Sequence, residues 1–123
     1  MMKPSQILER AADVVERNGL HHGDWILTVP DMPEVDCPVC AGGAINVAAL
    51  GHAEIDADDE ASLRGAHRQA YLALARLIVP GVAEETEALI ETVARWNDAE
   101  RPTAEQVVAM LRAAAENERR QDR

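Results

Sequence analysis

The sequence has no phenylalanine, and its aromatic residues are limited to two tryptophans and one tyrosine. Large rings therefore cannot dominate the core, although apolar residues make up 47% of the 123 residues. The core must be built from Ala, Leu, Val and Ile, and alanine is the strongest helix former. A chain of this length can bury a core without disulfides or metals. The composition predicts one mainly α-helical domain over residues 1–123.

Basic residues are also scarce, since Lys3 is the only lysine and the net charge is −10. Binding to nucleic acid through phosphates needs a basic face that releases counterions, so we expect no direct nucleic-acid binding. An anionic membrane surface would repel the chain in the same way. Acidic surfaces often serve solubility alone. If the acidic charge has a function beyond solubility, we expect it to bind a basic protein partner or to mimic nucleic acid toward a protein that binds nucleic acid.

The sequence also lacks a long hydrophobic run and has only two cysteines. A membrane-spanning helix needs about 20 apolar residues, and a signal peptide needs an apolar core. Neither pattern is present, and two cysteines do not make a secreted disulfide scaffold. We therefore expect a cytoplasmic protein.

Apolar spacing predicts a bundle of about five helices. We expect the first to begin with Ser5 as N-cap and to end at Gly19. The second should begin near Cys37, with Gly42 and Gly43 allowing another backbone to pack closely. An acidic linker, a third helix and a fourth helix ending near Trp96 should follow.

The start of the fifth helix has the clearest local pattern. Thr103 is followed three residues later by Gln106, which predicts a capping box. Residues 116–123 are charged throughout, and we expect them to fray.

Residues 20–36 lack helical periodicity and form the irregular part of the chain. Residues 25–29 are β-prone and predict one short strand, although no partner strand is evident. An aromatic side chain among polar loop residues favours a binding site, while the alternative is that it plugs the end of the bundle. The candidate binding residues are His21, His22, Asp24 and Trp25.

Two segments resemble a family of small proteins of unknown function from high-GC bacteria and their phages. Residues 40–49 follow a Cys-x-x-Gly-Ala-aliphatic-x-x-Ala-Ala pattern, and residues 96–98 read Trp-Asn-Asp, followed by Arg101 and Thr103. Pro102 and the additional Cys37 depart from that pattern. The resemblance implies no activity, but it implies a relation to phages or mobile elements.

Cys37 and Cys40 have the spacing of half a zinc site, which would need two further ligands such as His21 and His52. The same pair suits a thiol–disulfide couple at a helix N-terminus. A third interpretation is structural, with Cys40 as a small buried apolar residue.

Cys40 also suits a nucleophile activated by His21 or His22, with Asp24 or Asn97 orienting the imidazole. Asn97 and Asp98 favour capping and turn formation over catalysis. The function that we predict is a non-enzymatic interaction or accessory protein that binds a protein partner or forms a homo-oligomer. The alternatives are a small zinc protein and a cysteine-dependent enzyme.

Overall fold

A computed structural model describes residues 2–122 and confirms the mainly α-helical bundle. Its five α-helices are α1 (Pro4–Asn18), α2 (Ala41–Leu50), α3 (Ala66–Ile78), α4 (Thr86–Arg95) and α5 (Ala104–Gln121). Short 3-10 helices at Glu34–Asp36 and Ala57–Arg64 and a π-turn at Trp96–Glu100 lie between them. None of the helices in the described range is both long and apolar enough to cross a membrane.

The first and last helices pack along each other, and α1 also contacts α2. α3 packs against α4 and α5 and so closes the bundle. The largest apolar side chains without solvent exposure are Leu8, Ile45, Leu74, Leu89 and Leu111. On the surface, ion pairs join α1 to α5, at 3.1 Å between Glu9 and Arg119 and 3.2 Å between Glu16 and Arg112.

The start of α1 differs from the prediction. The N-cap is Lys3, whose backbone N–H donates to Gln6 Oε1 at 2.8 Å. Pro4 takes the first helical position, where its fixed φ suits the helix and its missing N–H is not needed. Ser5 is therefore not the N-cap but a buried residue of the first turn. The predicted end at Gly19 is confirmed by its φ of 96°.

The start of α2 also differs, because Cys37 and Cys40 have extended backbones and the helix begins at Ala41. Val39 forms isolated β-bridges with Leu20 and Ile26 instead. The predicted strand at residues 25–29 is thus reduced to the bridge at Ile26. The segment that pairs with Ile26 is short and includes Pro38, which has no N–H to extend the ladder of hydrogen bonds.

The capping box at α5 is confirmed. Gln106 N–H donates to Thr103 Oγ1 at 3.1 Å, and Thr103 N–H donates to Gln106 Oε1 at 2.8 Å. The helix then continues through Gln121, where the sequence predicted a frayed tail from residue 116. It continues because Glu118 is buried and Arg119 pairs with α1. Arg123 lies outside the described residues.

Candidate functional site

Residues 40–49 and residues 96–98, the two segments from which the sequence analysis predicted a family resemblance, meet at Asn97. This residue has no solvent exposure, and its Oδ1 accepts a hydrogen bond from Ala41 N–H at 2.9 Å. Its Nδ2 donates to the His21 carbonyl at 3.1 Å and to Asp98 Oδ1 at 3.0 Å. One buried amide therefore joins the π-turn, the start of α2 and the irregular loop.

The loop at residues 21–24 is held by two further bonds from the π-turn region. Asp98 Oδ1 accepts from Gly23 N–H at 2.8 Å, and Gly23 has a φ of 101°. His22 Nε2 lies 3.0 Å from the Pro102 carbonyl, to which it donates. The loop is consequently fixed in place, although it contains no regular secondary structure.

Trp25 packs directly on the start of α2. Its carbonyl accepts from Cys40 N–H at 3.1 Å. A Cβ on Gly42 would lie 2.9 Å from ring atom Cζ3 of Trp25, and a Cβ on Gly43 would lie 2.3 Å from the Trp25 carbonyl oxygen. The two glycines thus permit this close approach, as the sequence predicted.

These contacts leave an open cavity of about 200 Å³ beside Trp25, which we call the Trp25 cavity. It lies between the loop, the start of α2 and one side of α4. Its lining residues are Gly23, Asp24, Trp25, Cys40, Gly42, Ile90, Ala94 and Asp98. Two of the four predicted binding residues, Asp24 and Trp25, therefore lie in one cavity. His21 and His22 are not among its lining residues. The His21 carbonyl accepts from Asn97, and the His22 imidazole donates to the Pro102 carbonyl.

Cys40 lies on the wall of the Trp25 cavity, with 6% of its surface exposed. It is the N-cap of α2, and its Sγ accepts from Gly43 N–H at 3.2 Å. The pKa of Cys40 is raised to about 11, chiefly by burial and to a smaller extent by the charge of Asp98, while backbone hydrogen bonds from Gly43 and Gly42 oppose this rise. The group is therefore a thiol at neutral pH, whereas nucleophiles and metal ligands are thiolates.

The predicted catalytic contacts of Cys40 are not formed. Within the described residues, Cys40 makes no hydrogen bond to the imidazole of His21 or His22. Asp24 bonds to the N–H of Trp25, and Asn97 bonds to backbone groups and Asp98. The structure thus uses the proposed orienting residues to shape the loop.

The predicted zinc ligands do not converge either. Cys37 is 1% exposed, and its Sγ donates to the Pro33 carbonyl at 3.5 Å. His52 Nε2 lies 2.8 Å from Asp59 Oδ2. Across residues 2–122, ligand atoms of three residues come within 4.8 Å of one another only at His52, Asp56 and Asp59. Zinc binding by Cys37, Cys40, His21 and His52 stays a prediction that this arrangement does not favour.

A buried polar network is centred on Asn46, one helical turn after Gly42 in α2, and it was not predicted from the sequence. Asn46 Oδ1 accepts from His67 Nε2 and from the Tyr71 hydroxyl, both at 2.8 Å. Asn46 Nδ2 donates to the Ala53 carbonyl, and the Ser62 hydroxyl lies 2.9 Å from His67 Nδ1. The sequence feature that could have indicated this network is Asn46, the polar side chain in a helix whose other residues are apolar or glycine. Burial lowers the pKa of His67 to about 4.

The remaining lining residues were also missed as site residues. Ile90 and Ala94 show ordinary helical spacing, and Asp98 has the pattern of a turn residue. No local pattern connects them to a loop some 70 positions earlier in the chain.

A family model described as a family of unknown function, DUF6197, matches residues 1–117. This match confirms the resemblance to an uncharacterised family. Neither the curated proteins nor the solved structures contain a match to the chain.

Proposed function

We propose that this chain, which belongs to DUF6197, a family of unknown function, is a non-enzymatic accessory protein that binds another protein through the Trp25 cavity. One observation carries this proposal. The two segments of the family resemblance, residues 40–49 and 96–98, converge on a single open cavity beside an aromatic side chain. A buried amide fixes that geometry, as expected for a binding site that is formed before its partner arrives.

The state of Cys40 supports binding over nucleophilic catalysis. The thiol faces the cavity but stays protonated, because burial raises its pKa to about 11. Within residues 2–122, no imidazole bonds to this thiol, so no histidine is positioned to remove its proton. As a neutral thiol, Cys40 contributes a small and weakly polar surface to the cavity wall.

The surface around Trp25 supports a protein as the partner. The same irregular segment exposes Leu27, Met32 and Val35, each by 40% or more of its surface. Methionine and aromatic residues are enriched at protein interfaces, and this segment carries both Met32 and Trp25. The net charge of −10 favours a basic partner over a second copy of the chain, since two copies would repel each other. The relation to phages or mobile elements stays a prediction.

A capture experiment with a cavity-filling variant tests the proposal. Ala94→Leu adds a larger apolar side chain to the cavity wall, and Ala113→Leu makes the same change at an exposed position of α5. Tagged wild-type protein and both variants are incubated with a cell extract of the organism in which the protein is naturally made. The captured proteins are then quantified by mass spectrometry. Circular dichroism melting first confirms that the variants fold.

We expect at least one basic protein to be captured by the wild type and by Ala113→Leu, and to be lost with Ala94→Leu. Its capture should weaken as salt rises, because exposed charges are screened. Equal capture by all three proteins would refute the role of the cavity. A stable homo-oligomer in sedimentation, with no other partner captured, would refute the hetero-protein proposal.

A further inference from the structure

We infer that the Trp25 cavity receives the guanidinium group of an arginine side chain from the partner. This inference rests on the proposed function and names the chemistry of its ligand. It follows from three features of the cavity: two oriented carboxylates, one indole ring and an apolar wall of suitable size.

The two carboxylates belong to Asp24 and Asp98, the charged members of the lining. Each is oriented through one oxygen, since Asp24 Oδ1 accepts from Trp25 N–H at 3.1 Å and Asp98 Oδ1 accepts from Gly23 N–H at 2.8 Å. Within the described residues, the second oxygen of each makes no hydrogen bond, and neither residue forms an ion pair. Two acceptor oxygens thus remain for a donor that enters the cavity.

The indole ring of Trp25 supplies the second feature. Tryptophan is the aromatic side chain that attracts cations most strongly, and the planar guanidinium group stacks on such rings. A guanidinium group also presents several N–H donors in one plane, which suits two carboxylates better than a compact ammonium group does. The combination therefore favours arginine over lysine.

The size and the apolar wall agree with a single side chain. Sites for drug-sized molecules and cofactors are usually about 300–1,000 Å³, so a cavity of about 200 Å³ is smaller than this class. Ile90 and Ala94 form an apolar side of the cavity, against which the methylene groups of an arginine can pack. An acidic ligand would meet two uncompensated carboxylates and be repelled.

Nuclear magnetic resonance with capped tripeptides tests the inference on the full chain. The probes are Ac-Gly-Arg-Gly-NH2, its lysine analogue, its glutamate analogue and its citrulline analogue, which keeps the shape of arginine without the charge. The chain has two tryptophans, so the indole N–H of Trp25 reports on the cavity and that of Trp96 serves as an internal control. A Trp96→Phe variant assigns the two signals.

We expect the arginine peptide to shift the Trp25 signal in a saturable way and to leave the Trp96 signal in place. The lysine peptide should bind more weakly, and the citrulline and glutamate peptides should bind at least about tenfold more weakly. Equal binding of arginine and citrulline, stronger binding of lysine, or binding of glutamate would each overturn the inference.

Matched charge variants separate the cavity from general attraction to an acidic protein. Asp24→Asn keeps an oxygen that can accept from Trp25 N–H, and Asp58→Asn removes the same charge at an exposed site outside the cavity. Asp24→Asn should weaken arginine binding by about two- to fivefold, the range for one exposed ion pair, and Asp58→Asn should leave it unchanged. Equal weakening by both variants would overturn the inference.

The outcomes distinguish this inference from the proposed function. If Ala94→Leu abolishes capture of a protein partner but the arginine peptide does not bind, the ligand class is wrong and the binding function stands. If Ala94→Leu leaves capture unchanged, the proposed function fails whatever the peptides do.

Discussion

Acidification from pH 7 to pH 5 should destabilise the protein through one buried imidazole. His67 is 3% exposed and lies between the Asn46 amide oxygen and the Ser62 hydroxyl. Burial lowers the pKa of His67 from 6.5 to about 4, and the charge of Asp59 opposes this only in part. The folded protein therefore resists protonation of His67 over a range in which the unfolded chain accepts it.

The sign and the size follow from proton linkage. A folded pKa below the unfolded pKa means that the unfolded state binds more protons between about pH 6.5 and pH 4, so stability falls as the pH falls. With pKa values of about 4 and 6.5, the loss of unfolding free energy between pH 7 and pH 5 is about 2 kcal/mol. His52 acts in the opposite sense, because its hydrogen bond to Asp59 raises its pKa and favours the folded state at low pH.

Urea denaturation followed by circular dichroism measures this effect at both pH values. His67→Gln is the matched variant, since its side chain keeps one donor and one acceptor but does not titrate. We expect the wild type to lose about 2 kcal/mol more than His67→Gln between pH 7 and pH 5. A difference within the extrapolation error, about 0.5 kcal/mol, would refute the reasoning.

Three further perturbations test the site. Gly43→Ala should destabilise the folded protein by about 2 kcal/mol or more in thermal melts, because the new Cβ would lie 2.3 Å from the Trp25 carbonyl oxygen. This clash outweighs the gain in helix propensity, and a higher melting temperature would contradict the prediction. Asn97→Ala should lower the free energy of unfolding by about 3 kcal/mol in urea denaturation, since it leaves Ala41 N–H and the His21 carbonyl without their partner. A loss below about 1 kcal/mol would contradict the role of Asn97 in joining the π-turn, α2 and the loop. Alkylation of Cys40 by iodoacetamide at pH 8, measured by peptide mass spectrometry, should be at least about a hundredfold slower in the native protein than in urea. The reason is that a pKa of about 11 leaves only about one thiol in a thousand ionised. Equal rates would show an exposed or activated thiol.

Local signals predicted the fold class and the start of α5 correctly. The capping box depends on two residues three positions apart, so the Thr103–Gln106 pair is visible in the sequence itself. The start of α2 was wrong for the opposite reason. Residues 37–40 are extended because Val39 bridges Leu20 and Ile26, and such pairing across 13 or more positions overrides local helix signals.

The candidate site was predicted only in part. Trp25 and Asp24 were found because an aromatic residue among polar loop residues is unusual for this aromatic-poor chain. Ile90, Ala94 and Asp98 could not be found, since their role depends on where α4 lies relative to the loop. Asn97 was expected to act in capping and turn formation, but two of its partners lie 56 and 76 positions away, beyond any local pattern.

The pairing of the first and last helices has a consequence for synthesis on the ribosome. The apolar side of α1, with Ile7, Leu8 and Val15, is covered in part by α5, which is translated about 100 residues later. Domains generally fold as units as the chain emerges, and exposed apolar surface makes unfinished chains prone to aggregation. The part of α1 that α5 covers therefore stays exposed on the nascent chain until α5 has left the exit tunnel. Stalled or truncated products that lack α5 should depend on chaperones or be degraded.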